Sequence, residues 1–218
     1  MRFLCKKYYM KIVVIATDDL KQELTGGMNE NATVDWINDI TIIPDQADII
    51  IDLLFDADRI KRKEKLNGIK AEIIIVNDVT ETTKDLPRNY VRINGWKTFL
   101  KRATAEASCN NNETVKSKVE EVLRCFNKKT EWVPDISGFI TARVVSTIIN
   151  EAYFSIEDEI SSREEIDIAM KLGTNYPYGP FEWSKLIGLK KIYSLLERLS
   201  KENSRYIPSD LLKKEANN

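Results

Sequence analysis

The chain has 218 residues, with 33 basic and 34 acidic side chains for a net charge of −1. We therefore expect no binding to nucleic acid or to an anionic membrane, because no strong overall field attracts the protein to phosphates. No apolar run approaches the ~20 residues that span a bilayer. The sequence contains no histidine, which excludes the usual Ser-His-acid and Cys-His hydrolases, any His general base and His-ligated zinc. We predict no metal site.

The N-terminal region contains a short apolar run at 12–16, which ends at Thr17. This run is too short for the apolar core of a signal peptide, so it predicts a first β-strand. Translation could begin at Met1 or at Met10, since Met10 opens that strand directly.

The three cysteines, Cys5, Cys109 and Cys125, are widely spaced and form no CxxC motif. This pattern is typical of neither a disulfide framework nor a metal cluster. It favours reduced thiols and a cytoplasmic location.

The first half of the chain alternates β-branched apolar runs with charged stretches. Strands are predicted at 11–16, 32–37, 40–43, 48–55, 72–76 and 90–93. Helices are predicted at 18–24 and 59–66, and 103–108 is a further helix-prone stretch. Apolar strands that alternate with helices indicate a mostly parallel sheet covered on both faces.

The second half is predicted to be helical. Helices are expected at 113–126, 138–154, 163–172, from Gly179-Pro180 onward, and 189–201. Ser162 and Glu165 form a capping box, and Gly173 is the expected left-handed cap of that helix. The predicted organisation is an α/β domain over 1–133 and an all-α domain over 134–218.

Two segments of the second half resemble a known family. The first is V-P-D-I-S-G-F-I-T-A-R (133–143), and the second is I-D-I-A-M-K-L-G (166–173) with Y-P-Y-G-P-F-E (176–182). They are similar to the C-terminal domain of 3-hydroxyacyl-CoA dehydrogenases, including the 3-hydroxybutyryl-CoA enzymes. The resemblance implies a Rossmann-like domain, here abridged, followed by a helical dimerisation domain. It also implies oxidation of a 3-hydroxyacyl-CoA with NAD.

The first half resembles the same family more loosely, at Q-A-D-I-I-I-D (46–52), and it departs from the family at the cofactor turn. NAD is bound in a Rossmann domain through G-x-G-x-x-G directly after the first strand, where glycines let the backbone approach the pyrophosphate. Here Thr17, Asp18 and Asp19 occupy that position. Side-chain bulk and two negative charges oppose a dinucleotide there, so we expect no cofactor to bind, although the family resemblance implies NAD.

The family's catalytic pair is a His with a Glu twelve residues later, and counting by this spacing matches Glu106 to the Glu and Asn94 to the His. Ala142 falls at the family's catalytic Asn. The resemblance thus implies a retained acid, a lost base and a lost amide, and asparagine cannot serve as a base near neutral pH. Glu106 could instead be a surface glutamate on the helix-prone stretch 103–108, and this interpretation is favoured because the match to the family at this position rests on spacing.

Two further positions have competing interpretations. Asn77 could cap a strand end near an old active site or could be an ordinary turn residue. The Tyr176–Phe181 segment could line a cleft, but its Pro and Gly content favours a rigid turn with Phe181 in the core.

Three functional hypotheses follow. The first is a degenerate, non-catalytic or weakly active homologue, homodimeric through its helical domain and able to keep an acyl-CoA-like ligand. The second is an active oxidoreductase with a non-His base and altered cofactor binding. The third is a structural partner that heterodimerises with a full-length paralogue.

Overall fold

The computed structural model describes residues 10–26, 34–110 and 113–218. Its strands are β1 (Ile12–Ile15), β2 (Val34–Ile37), β3 (Gln46–Asp52), β4 (Lys70–Asn77), β5 (Tyr90–Ile93), β6 (Thr104–Cys109) and β7 (Lys129–Trp132). Within the described residues they form one seven-stranded sheet in the order β2-β1-β3-β4-β5-β6-β7. All neighbours are parallel except β5 and β6, which are antiparallel.

The helices, in chain order, are α1 (Asp18–Thr25), α2 (Arg59–Asn67), α3 (Glu113–Cys125), α4 (Thr141–Glu157), α5 (Arg163–Thr174), α6 (Pro180–Ile187), α7 (Leu189–Ser200) and α8 (Asp210–Ala216). Helices α1 and α3 cover one face of the sheet, and α2 covers the other. The central strands are apolar on both sides because both faces are buried, as in β3, where Ile49, Ile50 and Ile51 are at most 1% exposed.

The parallel strands β1, β4 and β5 all end at the same edge of the sheet. The loops that leave this edge run toward the helical half, and three of their side chains, Val79, Trp96 and Phe99, pack into the helical core. The α/β part and the helical part are therefore joined by a continuous apolar core as well as by the chain. Ligands of open α/β folds bind at this edge of the sheet.

The segment between β7 and α4 is also anchored to the sheet by charge. Arg92 on β5 is fully buried, donates to the carbonyl of Asp78 and forms an ion pair with Asp135. Burial alone would raise the pKa of Asp135, but hydrogen bonds from Thr83 and the charge of Arg92 outweigh it, so the pKa is lowered. The segment that leads into α4 therefore has a fixed position over β5.

The predicted fold class, an α/β sheet domain followed by helices, is confirmed. The strand predicted at 40–43 is wrong: Ile40–Ile42 forms a 3₁₀ turn, because the Asp39 side chain accepts a hydrogen bond from Thr41 N and bends the chain. The helix-prone stretch 103–108 is instead strand β6, since tertiary pairing with β5 overrides local helix preference. Strand β7 was not predicted, because its K-T-E-W sequence is short and three of its four residues are polar.

Two helix ends also differ from prediction. Helix α5 extends beyond Gly173 to Thr174, and its left-handed cap is Asn175, with φ of 56°. Asparagine tolerates this conformation better than other side chains do. Helix α4 starts at Thr141, three residues later than predicted, because Gly138 (φ 85°) forms a turn ahead of it. The capping box of Ser162 and Glu165 is confirmed.

The part of residues 134–218 around Tyr176–Phe181 is a structural turn. The Asp167 carboxylate accepts hydrogen bonds from Phe181 N (2.8 Å) and Glu182 N (3.1 Å), which satisfies the first turn of α6. Phe181 is 2% exposed in the helical core. This confirms the prediction of a rigid turn with Phe181 inside.

Candidate functional site at the carboxyl edge of the sheet

The side chain of Asn77, at the end of β4, forms hydrogen bonds to the segments that follow β3 and β5. Asn77 is fully buried; its Nδ2 donates to Leu53 O (3.1 Å), and its Oδ1 accepts from Gly95 N (3.0 Å). A Cβ at residue 95 would lie 2.8 Å from the Cβ of Asn77, so this approach requires glycine. Asn77 thus caps the strand end, and its bond to Gly95 fixes the position of the preceding residue, Asn94.

Asn94, Glu106 and Thr141 form one hydrogen-bonded group. Asn94 Nδ2 donates to Glu106 Oε2 (3.0 Å) and to Thr141 Oγ1 (2.9 Å), and Thr141 Oγ1 donates to Glu106 Oε2 (2.6 Å). The orientation of the amide follows from chemistry, because a carboxylate can only accept and must face the NH₂ group. The residues at the predicted His and Glu positions are therefore in direct contact.

From its position on β6, Glu106 also caps the N-terminus of helix α4. Its Oε1 accepts hydrogen bonds from Ile140 N (3.2 Å) and Thr141 N (3.0 Å) at the start of α4. The N-cap residue of α4, Ile140, has no side-chain oxygen that could accept these bonds. The negative charge at this end complements the helix dipole. Glu106 is 9% exposed, so the surface interpretation is wrong. The surface interpretation is wrong because Thr104–Cys109 forms a strand inside the sheet and not an exposed helix.

Ala142 does not share this cluster. It is fully buried and its side chain packs in the helical core. The polar side chain that α4 contributes to the cluster is that of the preceding residue, Thr141.

A cavity of about 270 Å³ opens beside the cluster. It is lined by Asn94, Phe99, Arg102, Thr104, Glu106, Glu131, Ile140 and Thr141. Asn94 is 5% exposed, and its Oδ1 has no hydrogen-bond partner among the described residues. Burial lowers the pKa of Arg102, and the negative charge of Glu106 partly opposes this shift. An arginine with a lowered pKa is still a cation at neutral pH.

Helix α1 occupies the place of a glycine-rich turn after β1. Thr17 is its N-cap, with Oγ1 accepting from Leu20 N, and Asp18 and Asp19 form its first turn. The carboxylates of this turn complement the positive end of the helix dipole. The structure thus places Thr17, Asp18 and Asp19 directly after β1, as the sequence implied.

Two contacts tie α1 to the loop between β5 and β6. Asp19 pairs with Lys97 Nζ at 2.7 Å, and the Glu23 carboxylate accepts from Thr98 N at 2.8 and 2.9 Å. Burial raises the pKa of Glu23, although the bond from Thr98 opposes the rise. A second cavity of about 370 Å³ lies here, lined by Asp19, Gln22, Glu23, Gly26, Lys97 and Lys101.

The residues of the Asn94 cluster offer no free group for removing a proton from a ligand. Asn94 holds no proton that it can exchange as a base, and both oxygens of Glu106 already accept hydrogen bonds. Within the described ranges no three His, Cys, Asp or Glu side chains are grouped as a metal site would need. No helix of the described part is long and apolar enough to cross a membrane.

The architecture defines a class: a Rossmann-like sheet with a helical C-terminal domain. Solved structures agree, among them FadB2 of Mycobacterium tuberculosis (TM-score 0.73, 13% identity, 95% of this chain and 93% of that chain). The (S)-3-hydroxybutyryl-CoA dehydrogenase of Ralstonia eutropha superposes with a TM-score of 0.71 at 20% identity, covering 94% of this chain and 93% of the other. At these identities the likeness shows the fold alone.

Sequence comparison is more specific. Residues 138–218 match the family model for the C-terminal domain of 3-hydroxyacyl-CoA dehydrogenase. The chain is 36% identical over 162 residues to 3-hydroxyadipyl-CoA dehydrogenase of Escherichia coli, covering 72% of this chain and 34% of that protein. It is 27% identical over 182 residues to 3-hydroxybutyryl-CoA dehydrogenase of Bradyrhizobium diazoefficiens, covering 77% and 62%.

The chain belongs to the 3-hydroxyacyl-CoA dehydrogenase family and is similar to the 3-hydroxybutyryl-CoA dehydrogenases. It spans between about one third and three fifths of the length of these curated relatives.

Sequence reasoning did not predict Arg102, Thr104 and Thr141 as site residues. The T-A-E-A-S-C run (104–109) alternates polar and small apolar residues, which is the period of a strand, and this signal could have placed Thr104 and Glu106 on one face. Arg102 carried no comparable signal, because its position depends on the turn between β5 and β6.

We predict that Glu106→Gln lowers the free energy of unfolding by about 2–3 kcal/mol, because hydrogen bonds to a charged group are lost and one amide NH₂ must face existing donors. Urea unfolding followed by circular dichroism measures the change. Glu64→Gln, the same substitution at an exposed position of α2, is the control and should change it by less than about 0.5 kcal/mol. Equal stabilities for the two variants would contradict the capping role of Glu106.

Proposed function

We propose that this protein is a 3-hydroxyacyl-CoA dehydrogenase homologue that no longer transfers hydride efficiently and acts as a dimeric, ligand-binding protein. The observation that carries the proposal is the hydrogen bond from Asn94 Nδ2 to Glu106 Oε2. By the family resemblance, a neutral amide stands where the His of a His–Glu pair would remove the hydroxyl proton of the substrate.

The loss of the base is the first argument. A positioned general base contributes typically about 10²–10⁴-fold to a rate. Neither Asn94 nor Ala142 can supply this function, and Glu106 is engaged in capping α4.

The cofactor position is the second argument. Dehydrogenases of this family use NAD, whose pyrophosphate would meet the first turn of the helix after β1. In this chain that turn carries Asp18 and Asp19, and Asp19 and Glu23 already bind the loop at Lys97 and Thr98. A dianion would have to displace these contacts and approach two carboxylates, which supports the loss of NAD binding in the usual mode.

Assembly is the third element of the proposal. The helical domain exposes apolar side chains on two helices, namely Ile140 (54% exposed) just before α4, Val144 (51%) in α4, and Ile168 (53%) and Leu172 (83%) in α5. Apolar side chains of this size favour burial against a second surface. We propose that they pack in a homodimer, and that an acyl-CoA-like ligand binds the cleft between the sheet and the helical domain.

The active-oxidoreductase hypothesis requires a replacement base at the cluster. Among the described residues that line the cavity beside Asn94, no lysine or tyrosine is present. This supports the non-catalytic proposal over a reaction with a Lys or Tyr base. The cytoplasmic location stays a prediction.

We predict that NADH-dependent reduction of acetoacetyl-CoA is at least about 10⁴-fold slower than with the Ralstonia eutropha enzyme assayed in parallel. Loss of absorbance at 340 nm measures the rate. Asn94→His restores a base but leaves Asp18 and Asp19 in place, so it should remain inactive. Turnover of the unaltered protein within about 100-fold of the Ralstonia enzyme would overturn the proposal.

Sedimentation velocity tests the dimer. We expect a particle of twice the 25.1 kDa chain mass, and the Val144→Asp/Leu172→Asp double variant should dissociate, because it places charges in the apolar contact. Ile60→Asp on α2, at a similarly exposed isoleucine outside the helical domain, is the control and should stay dimeric. A monomer for the unaltered protein at about 50 μM would reject the homodimer and favour a partner chain.

A further inference from the structure

Two polar groups in the cavity beside Asn94 have no side-chain hydrogen bond that would satisfy them in the described part of the chain. Asn94 Oδ1 accepts no hydrogen bond, because both of the contacts made by this amide use Nδ2. The guanidinium of Arg102 stacks on the ring of Phe99, with Cζ 4.4 Å from the ring centroid. Stacking uses the face of the guanidinium and leaves its in-plane N–H donors available.

The amide oxygen of Asn94 needs a hydrogen-bond donor, and the guanidinium of Arg102 needs an acceptor. A buried oxygen acceptor is satisfied by a hydroxyl or N–H donor, and a planar guanidinium binds a carboxylate in a bidentate manner. The hydroxyl of Thr141 cannot serve Asn94 Oδ1, because its proton is donated to Glu106. A ligand that satisfies both groups must therefore carry a donor and an anion.

The size of the cavity limits the ligand. Its volume of about 270 Å³ is slightly below the range of ~300–1,000 Å³ that is typical of sites for drug-sized molecules. A small acid fits this volume better than a nucleotide thioester does. Thr104 and Thr141 add hydroxyl groups to the lining.

We propose that this cavity binds a small hydroxycarboxylate, with its carboxylate on Arg102 and its hydroxyl donating to Asn94 Oδ1. The inference deepens the proposed function, because it names a ligand for a cleft that no longer performs hydride transfer. In this part of the cleft the recognised group is a free carboxylate, because the thioester of an acyl-CoA carries no charge that could pair with Arg102.

Two carboxylates also line the cavity, and the negative charge of Glu106 acts on Arg102, where it partly opposes the effect of burial on the arginine pKa. Glu106 accepts hydrogen bonds from the backbone at the start of α4, from Thr141 and from Asn94. The side chain of Glu131 is 54% exposed and lies 3.8 Å from Lys129 Nζ. Arg102 is the cation among the lining residues, so an anionic group of a ligand would pair there, away from the hydrogen-bonded oxygens of Glu106.

Titration calorimetry with four matched compounds tests the proposal. The ligand is 3-hydroxybutyrate, butyrate lacks the hydroxyl, acetoacetate replaces the donor by an acceptor, and 1,3-butanediol lacks the carboxylate. We expect saturable binding of 3-hydroxybutyrate, at least tenfold weaker binding of butyrate and acetoacetate, and no saturation by the diol up to about 20 mM.

Arg102→Gln should weaken the binding of 3-hydroxybutyrate at least tenfold, whereas Arg88→Gln, the same charge change at an exposed residue, should leave it unchanged. Failure of 3-hydroxybutyrate to saturate, or equal affinities for hydroxybutyrate and butyrate, would overturn the inference even if Arg102→Gln does not fold. Turnover of acetoacetyl-CoA would reject the proposed function separately, because that assay does not depend on the free acids.

Discussion

The carboxylate of Glu106 is the constraint on which the site depends. It lies on β6, contacts Asn94 after β5 and caps the start of α4, so one side chain connects two strands with the first helix of the C-terminal domain. A buried carboxylate is tolerated only when its oxygens are satisfied, and here amide, hydroxyl and backbone donors do so. The positions of Asn94 and Thr141, and hence the shape of the cavity, follow from this one group.

The same constraint limits chemistry. In a catalytic His–Glu pair, the glutamate stabilises the positive charge that the histidine gains when it takes a proton. Glu106 is instead committed to a helix N-terminus and to a neutral amide, so its charge has a structural use. Helix α1 is a parallel case, because its acidic residues Asp19 and Glu23 bind the loop after β5 at Lys97 and Thr98. Both arrangements put a protein contact where the family resemblance implies a ligand or a reactive group.

Much of this could be predicted from sequence, and the failures have a common cause. The buried apolar strands β1, β3 and β4 and the capping box of α5 depend on local patterns, so they were recognised. The motif between 133 and 182 carried the family resemblance. Strands β6 and β7 are short, polar and stabilised by tertiary pairing, and their omission led to the mistaken surface interpretation of Glu106. Asn77 and Arg102 act through contacts between loops, which no local pattern reports.

Whether the glycine-free turn after β1 excludes a dinucleotide is measured by calorimetric titration of the protein with NADH from micromolar to millimolar concentration, with the Ralstonia eutropha enzyme as a positive control. We expect no saturation, because Asp18 and Asp19 occupy the first turn after β1 and because Asp19 and Glu23 bind the loop beside it. Saturable binding below about 100 μM, roughly −5.5 kcal/mol, would contradict this expectation.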